Sequence, residues 1–163
     1  MIKIIEGDLL QSPEAYIIHQ CNAQGVMGSG VAKQIATLYP EVETRYKAFI
    51  NANSPYEKYF VMGRVIYVPV HNLSTGQKQC ICNVIGQYNY GRDGKRYTEY
   101  RYLFEGILHV LKEAEAANQN IALPYKIGCF RGGGDWDNVV FPFLQAIATD
   151  FKGDIVIYKL DKN

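Results

Sequence analysis

No long apolar run, no excess of charge of one sign and no cysteine pattern marks this chain, and each absence narrows what it can be. Its apolar stretches fall short of the roughly 20 residues needed to span a bilayer, so no membrane partner is expected. Lysine and arginine total 17 against 16 aspartates and glutamates, a net charge of +1, which leaves no global field for gripping a polynucleotide. The one basic stretch, residues 92–96, contains Asp93 and reads as a solvated loop. Cys21, Cys80, Cys82 and Cys129 form no C-x-x-C pair, against both a disulfide scaffold and a zinc site. They read as free thiols in a reducing compartment. The chain starts on a strand-like run with no charged-then-apolar leader. These features predict a cytoplasmic protein with no cofactor and no metal, one domain over all 163 residues.

What is present is glycine in two clusters, each between a strand-like run and a helix-like run. The first is Gly25-Val-Met-Gly28-Ser-Gly30, and the second is Gly128-Cys-Phe-Arg-Gly132-Gly-Gly134. A helix start carries unpaired N–H groups and the positive end of the peptide dipole, so it attracts anions. Glycine lets backbone approach a ligand with no Cβ in the way. Two such cradles suggest a ligand bearing a phosphate or diphosphate. The spacing reverses the dinucleotide fingerprint G-x-G-x-x-G, and no Gly-Lys-Ser/Thr follows to bind a nucleoside triphosphate with magnesium.

Periodicity predicts strands at residues 2–6, 15–20, 64–70, 79–85, 121–124 and 155–160. Helices are expected after the first glycine loop, onward from Pro40, over 100–117 with Thr98 as N-cap, and over 135–150 with Pro142 inside. Alternating strands and helices argue for an α/β layered domain.

Three segments in order, Glu6-Gly-Asp-Leu9, His19-Gln-Cys-Asn22 leading into the first glycine loop, and Pro124-Tyr-Lys-Ile127 leading into the second and on to Trp136, resemble the macro domain. Within that family the chain is similar to the short branch holding the yeast ADP-ribose-1''-phosphate phosphatase, phage and bacterial relatives, and the terminal ADP-ribose glycohydrolase. The resemblance implies a three-layer α/β/α sandwich around a central mixed sheet, with an ADP-ribose cleft at the strand ends.

The residues suit the roles this implies. Asp8, with Leu9 beside it, could accept a hydrogen bond from the adenine amine, or could cap a local turn. Asn22 suits the distal ribose hydroxyls, or an Asx-type turn. Gly28, Ser29, Gly30, Val31 and Ala32 would present N–H groups to one phosphate, with Gly25, Val26 and Met27 in the same loop. Gly132, Gly133, Gly134 and the helix opening at Asp135 would hold the other. Ile127, Gly128, Cys129, Phe130, Arg131 and Trp136 complete the expected ligand site, and Tyr88 and Tyr90 either line it or serve the core.

His19 is the most chemically capable side chain nearby, and the phosphatase relative carries a histidine at the matching place. It is either catalytic or satisfied inside the sheet. His19, Asn22 and Asp135 are the catalytic candidates, although Asp135 equally suits a helix N-cap. Cys129 has no activating neighbour in sequence and reads as packing. The terminal glycohydrolase uses a helix lysine and a loop aspartate where this chain has Ala36 and Gly132; Lys33 lies one turn earlier. The expected function is removal of a phosphate or an ester-linked protein side chain from the distal ribose of ADP-ribose. A non-catalytic reader of ADP-ribose or ADP-ribosylated protein is the alternative, and nucleic-acid binding is not expected.

Overall fold

A computed structural model describes residues 1–53 and 59–160. Six strands form one sheet in the order β1-β6-β5-β2-β4-β3. They are β1 Ile2–Glu6, β2 Tyr16–Asn22, β3 Val65–His71, β4 Lys78–Gln87, β5 Ile121–Pro124 and β6 Ile155–Lys159. Only β3 runs antiparallel to its neighbour; β1, β6, β5, β2 and β4 are parallel. Their carboxyl ends therefore share one edge, where α/β sheets bind ligands.

The sheet is covered on both faces, which explains why Ile17 and Ile18, neighbours in the middle of β2, are both apolar and buried. Successive side chains alternate between the faces. Ile17 and Cys21 join one core with Ile35 of α1 (Gly30–Leu38) and Val42, Tyr46 and Ile50 of α2 (Pro40–Asn53). Ile18 joins the other with Leu103, Ile107 and Val110 of α3 (Tyr100–Ala116) and Leu144 of α4 (Phe141–Ala148). The result is the α/β/α sandwich. No helix among the described residues is long and apolar enough to cross a membrane.

Two local expectations need correction. Thr98 does not cap α3: Glu99 holds the cap position without a side-chain bond, and the Thr98 hydroxyl instead donates to Gly128 O at 2.6 Å. The expected helix over 135–150 is divided, with a wide turn of π type at Trp136–Val140 before α4. That division puts Pro142 in the first turn of α4, where its missing N–H costs no helical bond.

Candidate functional site

A cavity of about 500 Å³ opens along the carboxyl ends of the parallel strands. Each of those strands contributes residues at or just past its end: Asp8 after β1, Asn22 closing β2, Tyr90 to Arg92 after β4, Lys126 to Gly128 after β5 and Leu160 after β6. Asp8 is the one carboxylate among the lining residues.

The first glycine loop is built on Asn22. Its Oδ1 accepts from Gln24 N at 3.0 Å and Val26 N at 3.3 Å, and its Nδ2 donates to Val26 O at 2.8 Å. The buried hydroxyl of Tyr46 anchors it from below, 2.9 Å from Oδ1. Asn22 thus closes an Asx-type turn and also lines the cavity. Gly25 and Gly30 take φ of +79° and +60°, which favours glycine. Ser29, at the cap of α1, makes no side-chain capping bond. The first-turn N–H groups of Gly30, Val31 and Ala32 therefore keep their donor capacity where these residues line the cavity.

Asp8 caps a local turn and stands in the cavity wall. Its Oδ1 caps the short 3-10 turn Leu9–Gln11 by accepting from Leu10 N at 2.9 Å, and the residue also lines the cavity. A carboxylate has lone pairs for both duties.

The second loop is pinned by protein. Gly132 O accepts from Tyr97 N at 2.8 Å and Thr98 N at 2.9 Å, and Gly134 N donates to Gly128 O at 3.0 Å. Thr98 Oγ1 accepts from Gln20 Nε2 at 2.9 Å, and Gln20 in turn donates to Gln87 Oε1 at 2.6 Å. This chain ties the loop to β2 and β4.

His19 sits in the cavity floor but is only 1% exposed. Its Nε2 lies 2.6 Å from Asn83 Oδ1 on the paired position of β4, and Asn83 Nδ2 donates to Ile66 O. That network assigns the proton to Nε2, donated to Asn83. Burial lowers the His19 pKa to about 4 despite the Asn83 bond, so the ring is neutral near pH 7. Burial also pushes the Cys129 thiol up to about 12, with Asp135 adding to the effect. Cys129 is therefore a protonated thiol in ordinary conditions.

The cavity brings together Asp8, Leu9, His19, Asn22, Val26, Gly28 to Ala32, Ile127, Gly128, Phe130, Arg131 and Gly132. Gly25, Met27, Cys129, Gly133, Gly134, Asp135 and Trp136 stand outside its lining. Met27 is in the core, and Trp136 packs against Tyr125 and Phe141. Asp135 caps the π turn by accepting from Asn138 N at 3.0 Å; this bond, helped by the Asn138 amide, holds its carboxyl below the usual range. Tyr90 lines the cavity while Tyr88 packs near Tyr59. Lys33 is exposed and outside the lining; Ala36 packs against the core. Sequence reasoning missed Gln20, Gln34, Gln87, Arg92, Tyr125, Lys126 and Tyr158. Gln20 and Gln87 near the ends of β2 and β4, Arg92 after β4, Tyr125 and Lys126 after β5 and Tyr158 in β6 share one signal, since parallel strand ends converge; Gln34 comes from α1.

Fold and site define an α/β/α ligand-binding domain whose helix opening faces a cavity at the strand ends. The chain belongs to the macro domain family, which it matches over residues 18–141. It is 27% identical over 159 residues to the DNA ADP-ribosyl glycohydrolase of Mycobacterium tuberculosis, covering 97% of this chain and 42% of that protein. The chain therefore spans less than half the length of that relative. Over 44 residues it is 46% identical to the ADP-ribose 1''-phosphate phosphatase of Aspergillus clavatus, 26% of this chain and 22% of that one. The macrodomain of Mycobacterium tuberculosis DarG has the same fold, with a TM-score of 0.75 at 24% identity and 97% of each chain covered.

Proposed function

We propose that this macro domain binds ADP-ribose in the 500 Å³ cavity and hydrolyses a group from the distal ribose. One observation carries the reading: a single cavity is lined together by Asp8, by Asn22 and by the open first turn of α1. Asp8 takes the adenine amine, the N–H groups of residues 28–32 take the diphosphate, and Asn22 takes the distal ribose hydroxyls. Remote binding energy then holds the reacting bond in place. Hydrolysis is supported by the activities named for the glycohydrolase and phosphatase relatives. Water adds at the substituted centre, the bond to the leaving group breaks, and the water's proton balances the released group.

Among the three catalytic candidates, Asn22 and His19 line the cavity, and Asn22 is the one that leads into the first glycine loop. His19, buried and neutral, is a positioning residue that holds the end of β2 against Asn83. Asp135 shapes the second loop from outside the cavity lining. A bound water is then the nucleophile. Non-catalytic reading of ADP-ribose is the second interpretation, favoured by Ala36 and Gly132 standing where the terminal glycohydrolase places its lysine and aspartate.

Calorimetric titration with ADP-ribose, followed by incubation with ADP-ribose-1''-phosphate, ADP-ribosylated protein and ADP-ribosylated DNA, tests both. Binding and release of ADP-ribose are expected, and Gly28→Glu should abolish binding while keeping a cooperative melt. Binding without turnover leaves a reader; no binding removes the site. Turnover should also be flat from about pH 6 to 8. A limb near pH 6.5 that disappears in His19→Gln returns the acid–base role to His19.

A further inference from the structure

The turn that follows β5 carries a lysine where turn chemistry favours glycine. Ile127 N donates to Pro124 O at 3.1 Å, closing a four-residue turn whose third residue, Lys126, takes φ of +60°. A positive φ at that place belongs to a type II turn, which glycine or asparagine fills most readily. A strained residue at a cavity points to a use for its side chain, and Lys126 lines the main cavity. Its ammonium lies 5.6 Å from the centre of the Tyr125 ring, and the ammonium of Lys159 lies 4.7 Å from the same centre. Neither lysine is in an ion pair among the described residues. Two ammonium groups held at one ring repel each other, and an anion between them relieves that repulsion.

This pair is not the seat of the diphosphate. Tyr125 packs against the core formed with α3 and α4, and Lys159, two residues beyond Ile157 of that core, points to the same face of the sheet. The opening of α1 belongs to the opposite face, where Ile35 is buried. Between adenine at Asp8, after β1, and the diphosphate on α1, after β2, the ligand crosses the ends of β6 and β5. That is three strand spacings, about 14 Å. The adenosine ribose is the part of ADP-ribose that lies there, beside Leu160 and Lys126 in the lining. Its C1' holds the base and its C5' the diphosphate, so its 2' and 3' hydroxyls are the ones free to carry another group. We propose that Tyr125, Lys126 and Lys159 form a subsite for a phosphate monoester on that ribose, making ADP-ribose phosphorylated at the 2' or 3' position the preferred ligand. The proposal rests on the ADP-ribose reading above and adds the class of its ligand. The Tyr125 ring holds both ammonium groups in place, and each is a point charge with three donors for phosphate oxygens.

The test uses the full chain and four probes: ADP-ribose, its 2'-phosphate, its 3'-phosphate, and ADP-ribose-1''-phosphate, which carries the same added group at the far end. Affinities are read by calorimetry. One of the 2' and 3' esters is expected to bind about tenfold tighter than ADP-ribose, the return of one charge-assisted hydrogen bond, and the ester that gains identifies the hydroxyl. The gain should shrink between about 50 and 200 mM salt. Lys159→Ala, outside the cavity lining, should remove most of it and leave the affinities for ADP-ribose and ADP-ribose-1''-phosphate unchanged. Lys126→Asn keeps a residue that tolerates the positive φ and should also remove the gain, with a cooperative melt as the check on folding. Equal affinity for both esters and ADP-ribose overturns the subsite while leaving the cavity reading intact. So does a gain that survives Lys159→Ala, or a Lys159→Ala loss of equal size for all four probes, which is a general charge effect. Failure of all four probes to bind overturns both.

Discussion

A methyl group at Gly28 would meet nothing nearer than Val26 Cγ1 at 3.6 Å, and one at Gly30 nothing within 4 Å. At Gly132 it would lie 2.6 Å from Gly128 O and closer still to Thr98 Oγ1; at Gly133 it would lie 2.6 Å from Lys95 O. The first loop therefore uses glycine to keep space open toward the cavity and to turn at positive φ. The second uses it to let two backbone segments lie against each other. Both loops border the same cavity, but one offers donors and the other supplies a rigid wall. Substitutions that separate space from packing can break or sharpen this contrast.

The largest effect belongs to the second loop. Gly132→Ala forces its methyl into Thr98 and the Gly128 carbonyl, threatening the bonds from Tyr97 N and Thr98 N. Overpacking of this kind costs about 1–3 kcal/mol, and lost hydrogen bonds add to it. A loss of about 3 kcal/mol is expected in denaturant unfolding. A Gly132→Ala variant as stable as the parent would show that the loop shifts freely and that its glycines serve the ligand.

The next effect lies under the first loop, in the strand that leads to it. His19 has its pKa lowered to about 4 by burial, whereas in the unfolded chain it sits near 6.5. Between these values the unfolded state binds more protons, so stability from this group is complete above about pH 6.5 and falls as pH drops toward 4. At about 1.4 kcal/mol per pH unit, the loss approaches 3 kcal/mol. Denaturant unfolding across that range should show a shallower slope in His19→Gln than in the parent. Parallel curves would place the titration elsewhere and describe the first loop's foundation as solvated.

These contrasts mark what sequence can and cannot carry. The strands and the order of layers were legible, because β2 and α3 express their burial in runs and periods that depend on near neighbours. The first loop was legible as well, since its open glycines and the helix opening at Gly30 are contiguous in the chain. The reason for Gly132 was not: much of its crowding comes from Thr98, which the Gln87–Thr98 bridge and the Gln20 bond help to hold in place from distant parts of the chain. The state of His19 was equally hidden, because it is set by burial within the packed sheet, where its partner Asn83 lies 64 residues away. Glycine and histidine name a capacity, and long-range contacts decide which use is made of it.

Asp8 tests the ligand side at a smaller scale. If its carboxylate meets the adenine amine, Asp8→Ala should weaken ADP-ribose binding by about 1.5–3 kcal/mol. Because Oδ1 also caps the turn Leu9–Gln11, the alanine variant should lose about 1 kcal/mol of stability too. Asp8→Asn keeps a capping oxygen and replaces a charged acceptor by a neutral one, so it should retain stability and lose only about 1 kcal/mol of binding. Calorimetry paired with unfolding of both variants separates the duties; binding that tracks stability in both would leave Asp8 as a cap alone.

The smallest effect on the fold is the most telling for the comparison. Gly28 is exposed, does not take a positive φ, and has ordinary van der Waals distance to its nearest neighbour. Alanine there meets no backbone penalty, and by restricting the unfolded chain it should change stability by only about +0.4 to +1 kcal/mol. Its methyl nevertheless stands in the lining of the cavity, beside the first-turn donors of α1. Affinity for ADP-ribose should therefore fall, by about tenfold if the phosphate must withdraw enough to lose one hydrogen bond's net contribution. Stability and binding then move in opposite directions in one variant, which no packing role for Gly28 produces. Should Gly28→Ala lose stability as Gly132→Ala does, the two loops would share one explanation, and the open first loop would be a feature of the unliganded shape alone.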